Sequence, residues 1–359
     1  GKTTVITERL GWLIMERKLR PENILALTFT DKAAGEMEDR VDRLLPFGYS
    51  EMWISTFHNF GERVLKTHGL DIGLTPDFDL LNETQQWLLL REHLDDLELD
   101  YYRPLGSPTK FLQALVRHFS RLKDEAITPE EYLSYAERLL LDRDQQKFVA
   151  KTDADDPVSD AKRILELARA YHTYNQLLRK AGALDFGDLI LCTMTLFRER
   201  PAVLEQYRQQ FQQILVDEFQ DTNWAQYALI KMLAAPANNL TVVGDDDQSI
   251  YKFRGASIAN ILTFKQDFPD AATVVLTKNY RSTQNLLDLS YGFIQQNNPN
   301  RLEAQLTAKD NPLGATITKH LTAQIAGAGI IEMITAETEV GEAQAVVEKI
   351  VQLKNAAST

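Results

Sequence analysis

The chain has 359 residues, of which 39 are basic and 51 acidic, giving a formal net charge of −12 at pH 7. This acidic balance argues against a protein that coats nucleic acid over its whole surface, although it leaves room for a local groove. The single cysteine, Cys192, excludes a disulfide within the chain and fits a reducing compartment, and no apolar run is long enough to span a bilayer. These features predict a cytoplasmic protein, and the length predicts two or three domains.

The first residues, Gly1-Lys2-Thr3-Thr4, lead directly into an amphipathic segment that predicts a helix over residues 3–18. A phosphate-binding loop has the pattern G-x-x-x-x-G-K-[ST], and only its last three positions are present. Such a loop also needs a preceding strand and glycines that wrap backbone N–H groups around the phosphates. A bare GKT is often an ordinary helix start, but the pattern also indicates a chain cut inside its own phosphate-binding motif.

Two apolar runs, at residues 24–29 and 52–55, predict strands of a buried sheet. The second leads into the segment TFHNF at residues 56–60. Hydroxyls, an aromatic ring and a histidine at strand ends could contact a phosphate backbone or stack on a base. Alternatively, His58 is a packed structural histidine and the two phenylalanines of the segment belong to the core.

Residues 76–184 have helical character throughout, which predicts an all-α insertion into an α/β domain. Asn82 is typical of a helix N-cap, and residues 128–131 form a capping box with proline at the first helical position. A long helix is predicted over residues 159–180. The acidic stretch at residues 142–160 is predicted to be a loop in its second half.

An apolar run at residues 214–216 ends in two adjacent carboxylates, Asp217 and Glu218. This is the pattern of a buried parallel strand that delivers acids to the carboxyl edge of a sheet, where open α/β folds bind their ligands. In nucleotide hydrolases the first such acid holds Mg²⁺, and the next can orient or deprotonate the attacking water. The Asp-Glu pair alone is weak support, because it occurs by chance in most proteins of this length.

A further apolar strand, residues 240–243, is followed by Gly244, three successive aspartates and Gln248. Three aspartates suggest a metal site, but turn chemistry and helix capping explain most such runs. Gln248 is the more informative residue, because a neutral amide at a strand end can contact a phosphate oxygen without changing the charge balance. Residues 273–277 predict another strand, which leads into the segment NYRS at residues 279–282.

Seven segments occur in the chain in this order: GKT, LTFTDKAAGEM, STFHNF, DFGDL, VDEFQDTN, VGDDDQSIYKFRGA and LTKNYRS. Over nearly the whole chain they resemble the motifs of UvrD/Rep/PcrA-type DNA helicases of superfamily 1. Any one segment is modest support, whereas the ordered set is highly specific. The resemblance implies an α/β fold with three parts: a RecA-like P-loop motor domain with a parallel sheet (residues 1–75 and 185–278), a helical insertion subdomain (76–184) and the start of a second RecA-like domain (279–359).

The resemblance also implies a site for ATP and Mg²⁺ around the first residues of the chain. Lys2 would bind the β- and γ-phosphates, and its neighbours Gly1 and Thr4 would also contact the nucleotide. Thr3 and Asp217 would hold the Mg²⁺ ion.

The same resemblance assigns catalytic roles to residues from three other motifs. Glu218 would activate the attacking water, and Gln248 and Arg281 would contact the γ-phosphate. Tyr280, beside Arg281, would stack on the adenine.

On the DNA side, the resemblance implies a single-strand path lined by aromatic, hydroxyl-bearing and basic side chains. These residues are Phe29, Thr30, Thr56, Phe57, His58, Tyr251, Phe253 and Arg254. Stacking on aromatic faces tolerates any base, as a translocating motor requires. Arg254 would link the DNA site to the nucleotide site.

The chain departs from the family pattern in several respects. Many members have arginine where this chain has Thr4, and tryptophan where it has Phe253, so we expect weaker contacts to adenine and DNA. The front of the phosphate loop, an upstream glutamine motif and later motifs of the second motor domain are absent from the sequence. We therefore expect a fragment of a longer helicase that binds ATP poorly and is inactive alone. Its first residues would be untethered, with an apolar gap beside Leu25 and Val216.

The predicted function is that of an ATP-dependent DNA helicase acting on single-stranded and partly duplex DNA, in the 3′-to-5′ direction that the resemblance implies. Two alternatives remain. The incomplete phosphate loop favours a non-catalytic DNA-binding or interaction fragment, and the chain could also be the motor part of a helicase–nuclease subunit. The intact Asp217, Glu218, Gln248 and Arg281 favour the helicase. The expected location is the cytoplasm of a bacterial-type cell, at the nucleoid. The sequence does not identify repair or recombination partners.

Overall fold

The computed structural model describes residues 1–45, 52–147, 157–249, 258–299, 301–307 and 318–357. The chain divides into two compact units, Gly1–Phe268 and Pro269–Thr359. Strands in the described ranges are β1 Ile24–Thr28, β2 Trp53–Thr56, β3 Asp79–Leu81, β4 Ala183–Asp185, β5 Gln213–Val216, β6 Leu240–Val242, β7 Lys278–Asn279 and β8 Thr322–Ala323.

Helices in the same ranges are more extensive than strands. In the first unit they are α1 Lys2–Met15, α2 Asp31–Leu44, α3 Phe57–His68, α4 Glu83–Glu92, α5 Leu112–Asp124, α6 Pro129–Lys147, α7 Pro157–Lys180, α8 Phe186–Glu199, α9 Pro201–Gln210, α10 Trp224–Ala234 and α11 Ile258–Asp267. In the second unit they are α12 Gln284–Ile294, α13 Leu302–Thr307 and α14 Glu339–Ala357. None of the helices within these ranges combines the length and apolar character that crossing a membrane requires.

A four-stranded parallel sheet with the order β2-β1-β5-β6 forms the centre of the first unit. All five residues of β1 are buried, because helices cover both faces of the sheet. Leu25 and Leu27 pack with residues of α3, α8 and α10 on one face, and Ile24 and Ala26 pack with residues of α1 and α2 on the other. The predicted α/β motor-type fold with a parallel sheet is thus confirmed.

The region predicted to be all α is mostly helical, with its own core built from α4, α5, α6 and α7. The predicted caps at Asn82 and Thr128 are both confirmed, since each side chain accepts a hydrogen bond from the N–H three residues later. The all-α prediction is wrong in one detail. β3 lies inside the region and pairs in parallel with β4, with Asp79 opposite Ala183, because the two ends of the insertion lie side by side.

Two other predictions about strands are wrong. Residues 273–277 are not a strand, and Val274 is 82% exposed; the strand forms instead at β7, where β8 supplies a hydrogen-bonding neighbour. The apolar gap expected beside Leu25 and Val216 is also not found. Both residues are fully buried, because β6 pairs directly with β5 and residues of α3, α8 and α10 pack over their side chains.

Candidate active site

The carboxyl ends of four parallel strands meet at one edge of the main sheet, and polar segments follow each of them. The segments after β5 and β6 are joined by a backbone hydrogen bond in which Phe219 N–H donates to Val243 O at 2.9 Å. The start of α1 lies at the same edge. Residues that are far apart in the sequence therefore meet here.

Lys2 is the first residue of α1, and its ammonium group contacts both of the predicted catalytic side chains in this unit. Nζ lies 2.5 Å from Glu218 Oε2 and donates to Gln248 Oε1 at 3.1 Å, across 216 and 246 positions of sequence. The expectation of untethered first residues is therefore wrong, because these side-chain contacts hold Lys2.

Asp217 follows β5 directly and is 2% exposed. Burial raises the pKa of its carboxyl group above the ordinary value, while a hydrogen bond with the Thr3 side chain acts in the opposite direction. Thr3 and Asp217 are thus neighbours, as the sequence predicted. A hydroxyl and a carboxylate are hard oxygen donors of the kind that Mg²⁺ prefers, and Mg²⁺ usually keeps several waters in addition. These two residues fit the ion.

Glu218 has a left-handed backbone conformation, with φ 49° and ψ 43°. Non-glycine residues rarely adopt it, and such strain is concentrated at functional sites. The conformation is held by the Glu218 N–H, which donates to Asp217 Oδ1 at 3.0 Å. It turns the chain sharply after β5 and directs the Glu218 carboxylate toward Lys2.

Sequence reasoning missed Gln220, which is 1% exposed and contacts the site directly. Its Nε2 donates to Glu218 Oε2 at 2.6 Å, and its Oε1 accepts from Asp245 N–H at 2.9 Å. The only signal in the sequence is an amide placed between two acids. That signal does not identify the partner in the segment after β6, which only the fold brings near.

Asp245, the first of the aspartates after β6, accepts hydrogen bonds within its own turn. Asp245 accepts from Asp247 N–H at 3.3 Å and from Gln248 Nε2 at 2.7 Å. The capping interpretation of this acidic run is therefore supported. Within the described residues, no group of three or more His, Cys, Asp or Glu side chains is arranged to hold a metal ion.

The predicted DNA-contacting residues that the structure describes lie at or just after the ends of β1 and β2, at the same edge of the sheet. Thr30 and Thr56 cap α2 and α3, accepting from Ala33 N–H at 3.1 Å and Asn59 N–H at 3.2 Å. Phe29 is half-buried, and Thr30 is exposed.

The next two predicted residues, Phe57 and His58, differ in how deeply they are buried. Phe57 is 2% exposed and packs in the core, so a direct contact with DNA would require it to move. Burial lowers the pKa of His58, with Asp31 acting in the opposite direction. The His58 ring packs edge to face against Phe186, with 5.8 Å between the ring centroids. Phe186 is 47% exposed and was not among the predicted residues. The predicted contacts Tyr251, Phe253 and Arg254 lie outside the described residues.

Tyr280 and Arg281 belong to the second unit, just after β7. The Asn279 carboxamide oxygen accepts from the N–H groups of Arg281 at 2.9 Å and Ser282 at 2.8 Å, which forms a tight turn. Tyr280 is 72% exposed on this turn, and Arg281 is also exposed. Both side chains are thus available to a ligand of this unit.

Comparison with known proteins gives two family matches that together cover nearly the whole chain. Residues 1–269 match the UvrD/REP helicase N-terminal domain, and residues 274–359 match the UvrD-like helicase C-terminal domain. Among curated proteins, the ATP-dependent DNA helicase PcrA of Staphylococcus epidermidis is 38% identical over 352 residues, covering 98% of this chain and 42% of the relative. PcrA of Staphylococcus aureus (strain Mu50) is 39% identical over 311 residues, covering 87% of this chain and 39% of the relative. The chain therefore spans well under half the length of these relatives.

Proposed function

The chain belongs to the UvrD/REP helicase family, and from this membership we propose that it is the motor core of an ATP-dependent DNA helicase. It couples ATP hydrolysis to movement along single-stranded DNA in the 3′-to-5′ direction. In this proposal residues 1–75 and 185–278 are the first motor domain, and residues 76–184 are its helical insertion. Residues 279–359 begin the second motor domain.

The observation that carries the proposal is the meeting of Lys2, Glu218 and Gln248 at the carboxyl edge of the main sheet. An ammonium group has three N–H donors, and Glu218 and Gln248 accept two of them among the described residues. We propose that the third binds an oxygen of the γ-phosphate. A cation, a carboxylate and a neutral amide around one point are the groups that phosphoryl transfer to water requires.

In this arrangement Glu218 is the general base. It removes a proton from a water molecule while the water oxygen bonds to the γ-phosphorus, and the bond from that phosphorus to the bridging oxygen breaks. The products are ADP and inorganic phosphate. Gln248, which carries no charge, orients a γ-phosphate oxygen without adding repulsion.

Thr3 and Asp217 are the residues that would hold Mg²⁺, which when bound neutralises charge on the phosphates. Burial of Asp217 suits this role, because a carboxylate with few water contacts has most to gain from a cation. Tyr280 and Arg281 would supply adenine stacking and a second cation from the second unit. Gly1 and Thr4 would contact the nucleotide beside Lys2.

For the DNA path, we propose the surface after β1 and β2. From the family resemblance we also propose Tyr251, Phe253 and Arg254, which lie outside the described residues. Exposed Thr30 would contact a phosphate, and half-buried Phe29 would offer part of a stacking face. Burial lowers the pKa of His58 and favours its neutral form, so it would act as an aromatic rather than a cationic contact. Thr56 and Phe57 are buried, so in the folded state they would support this surface from the core.

The test uses the full-length protein and short duplexes that carry one single-stranded tail. With Mg-ATP, we expect strand displacement from a 3′-tailed duplex and little from a 5′-tailed one, together with phosphate release that single-stranded DNA stimulates. Binding of DNA without any stimulated phosphate release would replace this proposal with the non-catalytic alternative. Displacement from the 5′-tailed duplex alone would reverse the proposed direction.

A further inference from the structure

The Gln220 carboxamide bridges two segments that carry proposed catalytic groups. At one end Nε2 donates to Glu218 Oε2 at 2.6 Å, and at the other Oε1 accepts from Asp245 N–H at 2.9 Å. Nε2 also lies 3.3 Å from Asp221 Oδ2, and Ser249 Oγ donates to the Gln220 backbone oxygen at 3.4 Å. A glutamine that is 1% exposed thus has both ends of its amide engaged.

The orientation of this amide follows from its partners. Oxygen and nitrogen of a glutamine side chain are assigned by their hydrogen bonds, and a backbone N–H can only donate. Asp245 N–H therefore requires Oε1 on its side, and this places the NH₂ group against the Glu218 carboxylate, which can only accept when ionised. The reversed amide would face a donor with a donor and an acceptor with an acceptor.

Gly244 makes room for the bridge. A Cβ atom at this position would lie 3.0 Å from Gln220 Oε1 and 3.3 Å from Gln220 N, closer than most such contacts. A larger residue would push the amide away from Asp245. Glycine before Asp245 is thus a second, independent feature of the same contact.

We infer that Gln220 is a positioning residue that fixes the position of the Glu218 carboxylate relative to the segment carrying Gln248. Asp245 completes the link, because its carboxylate accepts from Gln248 Nε2 at 2.7 Å. This inference rests on the proposed function, in which Glu218 is the base and Gln248 contacts the γ-phosphate. The bridge restricts the Glu218 side chain and makes the two groups move together.

Removing the bridge has a specific kinetic consequence. Among the described residues, Gln220 makes no hydrogen bond to Lys2 or Asp217, the proposed phosphate and metal contacts, so nucleotide binding is largely retained. Without the bridge, however, the Glu218 carboxylate samples positions from which it cannot act as the base. Loss of a hydrogen bond to a charged group lowers kcat by about ten- to a hundredfold, with KM for ATP within about threefold.

The experiment compares three variants in the full-length protein by DNA-stimulated phosphate release. Gln220→Met keeps the shape and removes both hydrogen bonds. Gln220→Glu keeps an acceptor for Asp245 N–H but places a second carboxylate against Glu218. Gly244→Ala displaces the amide without changing it. We expect all three to lower kcat and to leave KM nearly unchanged, with the smallest loss for Gly244→Ala.

Gln226→Met is the matched control. Gln226 is also a buried glutamine, 3% exposed, and its Oε1 accepts from Asn223 N–H at 3.2 Å, but it caps α10 instead of contacting Glu218. We expect it to lower the melting temperature while kcat stays within about twofold. A double variant, Gln220→Met with Gln248→Ala, tests the coupling. Its loss in kcat should be smaller than the product of the two single losses.

The inference is overturned if Gln220→Glu and Gly244→Ala both retain the parent kcat, and this holds even if Gln220→Met fails to fold. Strictly multiplicative losses in the double variant would reject the coupling to Gln248. Failure of the proposed function has a different signature. In that case Glu218→Gln would hydrolyse ATP at the parent rate, whatever the Gln220 variants do.

Discussion

Two lysines of the first unit each contact carboxylates, and the two clusters differ in their access to water. Lys2 lies 2.5 Å from Glu218, and the side chains are 18% and 31% exposed. Lys123, on α5, lies 2.7 Å from both Asp185 and Asp188, and these three side chains are 0%, 4% and 8% exposed. Similar chemistry thus occurs once at a surface edge and once in the interior.

The hydrogen bonds of the interior cluster join its own residues to one another and to Tyr174. Tyr174 OH donates to Asp185 Oδ2 at 2.8 Å, and the backbone N–H groups of Asp185 and Asp188 donate to each other's carboxylates. Burial would lower the pKa of Lys123, but the two carboxylates raise it. A Cβ at Gly187 would lie 2.7 Å from Lys123 Cβ, so only glycine allows this approach. The cluster joins α5 of the helical insertion to β4 and α8.

The difference shows which ion pair the fold depends on, and which one is free to exchange partners as the proposed function requires. A buried charge without its partner is costly, so the Lys123 cluster must stay complete in the folded state. A partly exposed pair contributes little to stability, because water solvates the separated charges. Lys2 and Glu218 can therefore change partners during a reaction at small cost.

The largest expected effect on stability is that of Lys123→Met. It leaves two carboxylates in the interior with no cation, so the free energy of unfolding should fall by about 3–5 kcal/mol. Denaturant titration measures this change. The control is Lys162→Met, at an exposed position of α7, which should stay within about 0.5 kcal/mol of the parent. Equal effects of the two substitutions would mean that the interior cluster does not hold the insertion in place.

A smaller, pH-dependent effect is expected at Asp124, next to Lys123. Burial raises the pKa of its carboxyl group to about 7, against a hydrogen bond from Asn223 that lowers it. An unfolded aspartate ionises near a pKa of about 4. Between these two pH values the folded chain binds more protons at Asp124 than the unfolded chain does. The resulting stabilisation is complete below pH 4 and is lost as pH rises through 7.

Asp124→Asn removes this pH-dependent loss of stability. It keeps an acceptor oxygen for Asn223 Nδ2, which donates to Asp124 Oδ1 at 2.6 Å in the parent. At pH 8 the variant should melt roughly 5–15 °C above the parent, and the difference should shrink as the pH approaches 4. Asp42→Asn, at an exposed position of α2, should give no such pH-dependent difference. A variant that is less stable than the parent at pH 8 would contradict the prediction.

The smallest expected effect on stability is that of Lys2→Met. Because the Lys2–Glu218 pair is partly exposed, the free energy of unfolding should change by less than about 1 kcal/mol. Affinity for Mg-ATP should nevertheless fall at least about tenfold, because a charged contact to phosphate is lost. The comparison of the two lysines fails if Lys2→Met destabilises the protein as much as Lys123→Met, or leaves nucleotide affinity unchanged.

Local patterns in the sequence predicted much of the fold and part of the site. The apolar run before Asp217 predicted β5 and its edge, and Asn82 and Thr128 predicted their caps, because these features depend on neighbours within a few residues. The Lys123 cluster and the Gln220 bridge were missed. Lys123 is 62 positions from Asp185, and Gln220 is 25 from Asp245, so only the tertiary fold brings each pair together.

Two other errors have the same origin. The expectation of untethered first residues considered only the missing front of the loop, whereas contacts with Glu218 and Gln248 hold Lys2. The strand predicted at residues 273–277 was based on composition, which cannot show whether a neighbouring strand is present. In both cases the missing information was a contact with a distant part of the chain.

The most direct test of the proposed motor is Glu218→Gln in the full-length protein, with Mg-ATP binding measured by calorimetry and phosphate release measured with single-stranded DNA. Glutamine keeps the shape and one acceptor for Lys2 but cannot take a proton. We expect the dissociation constant to change by less than about threefold and kcat to fall by about 10²–10⁴-fold. Glu22→Gln, at a surface ion pair with Arg20, should leave both quantities at the parent values. Phosphate release by Glu218→Gln within a few-fold of the parent would contradict the role of Glu218 as the base.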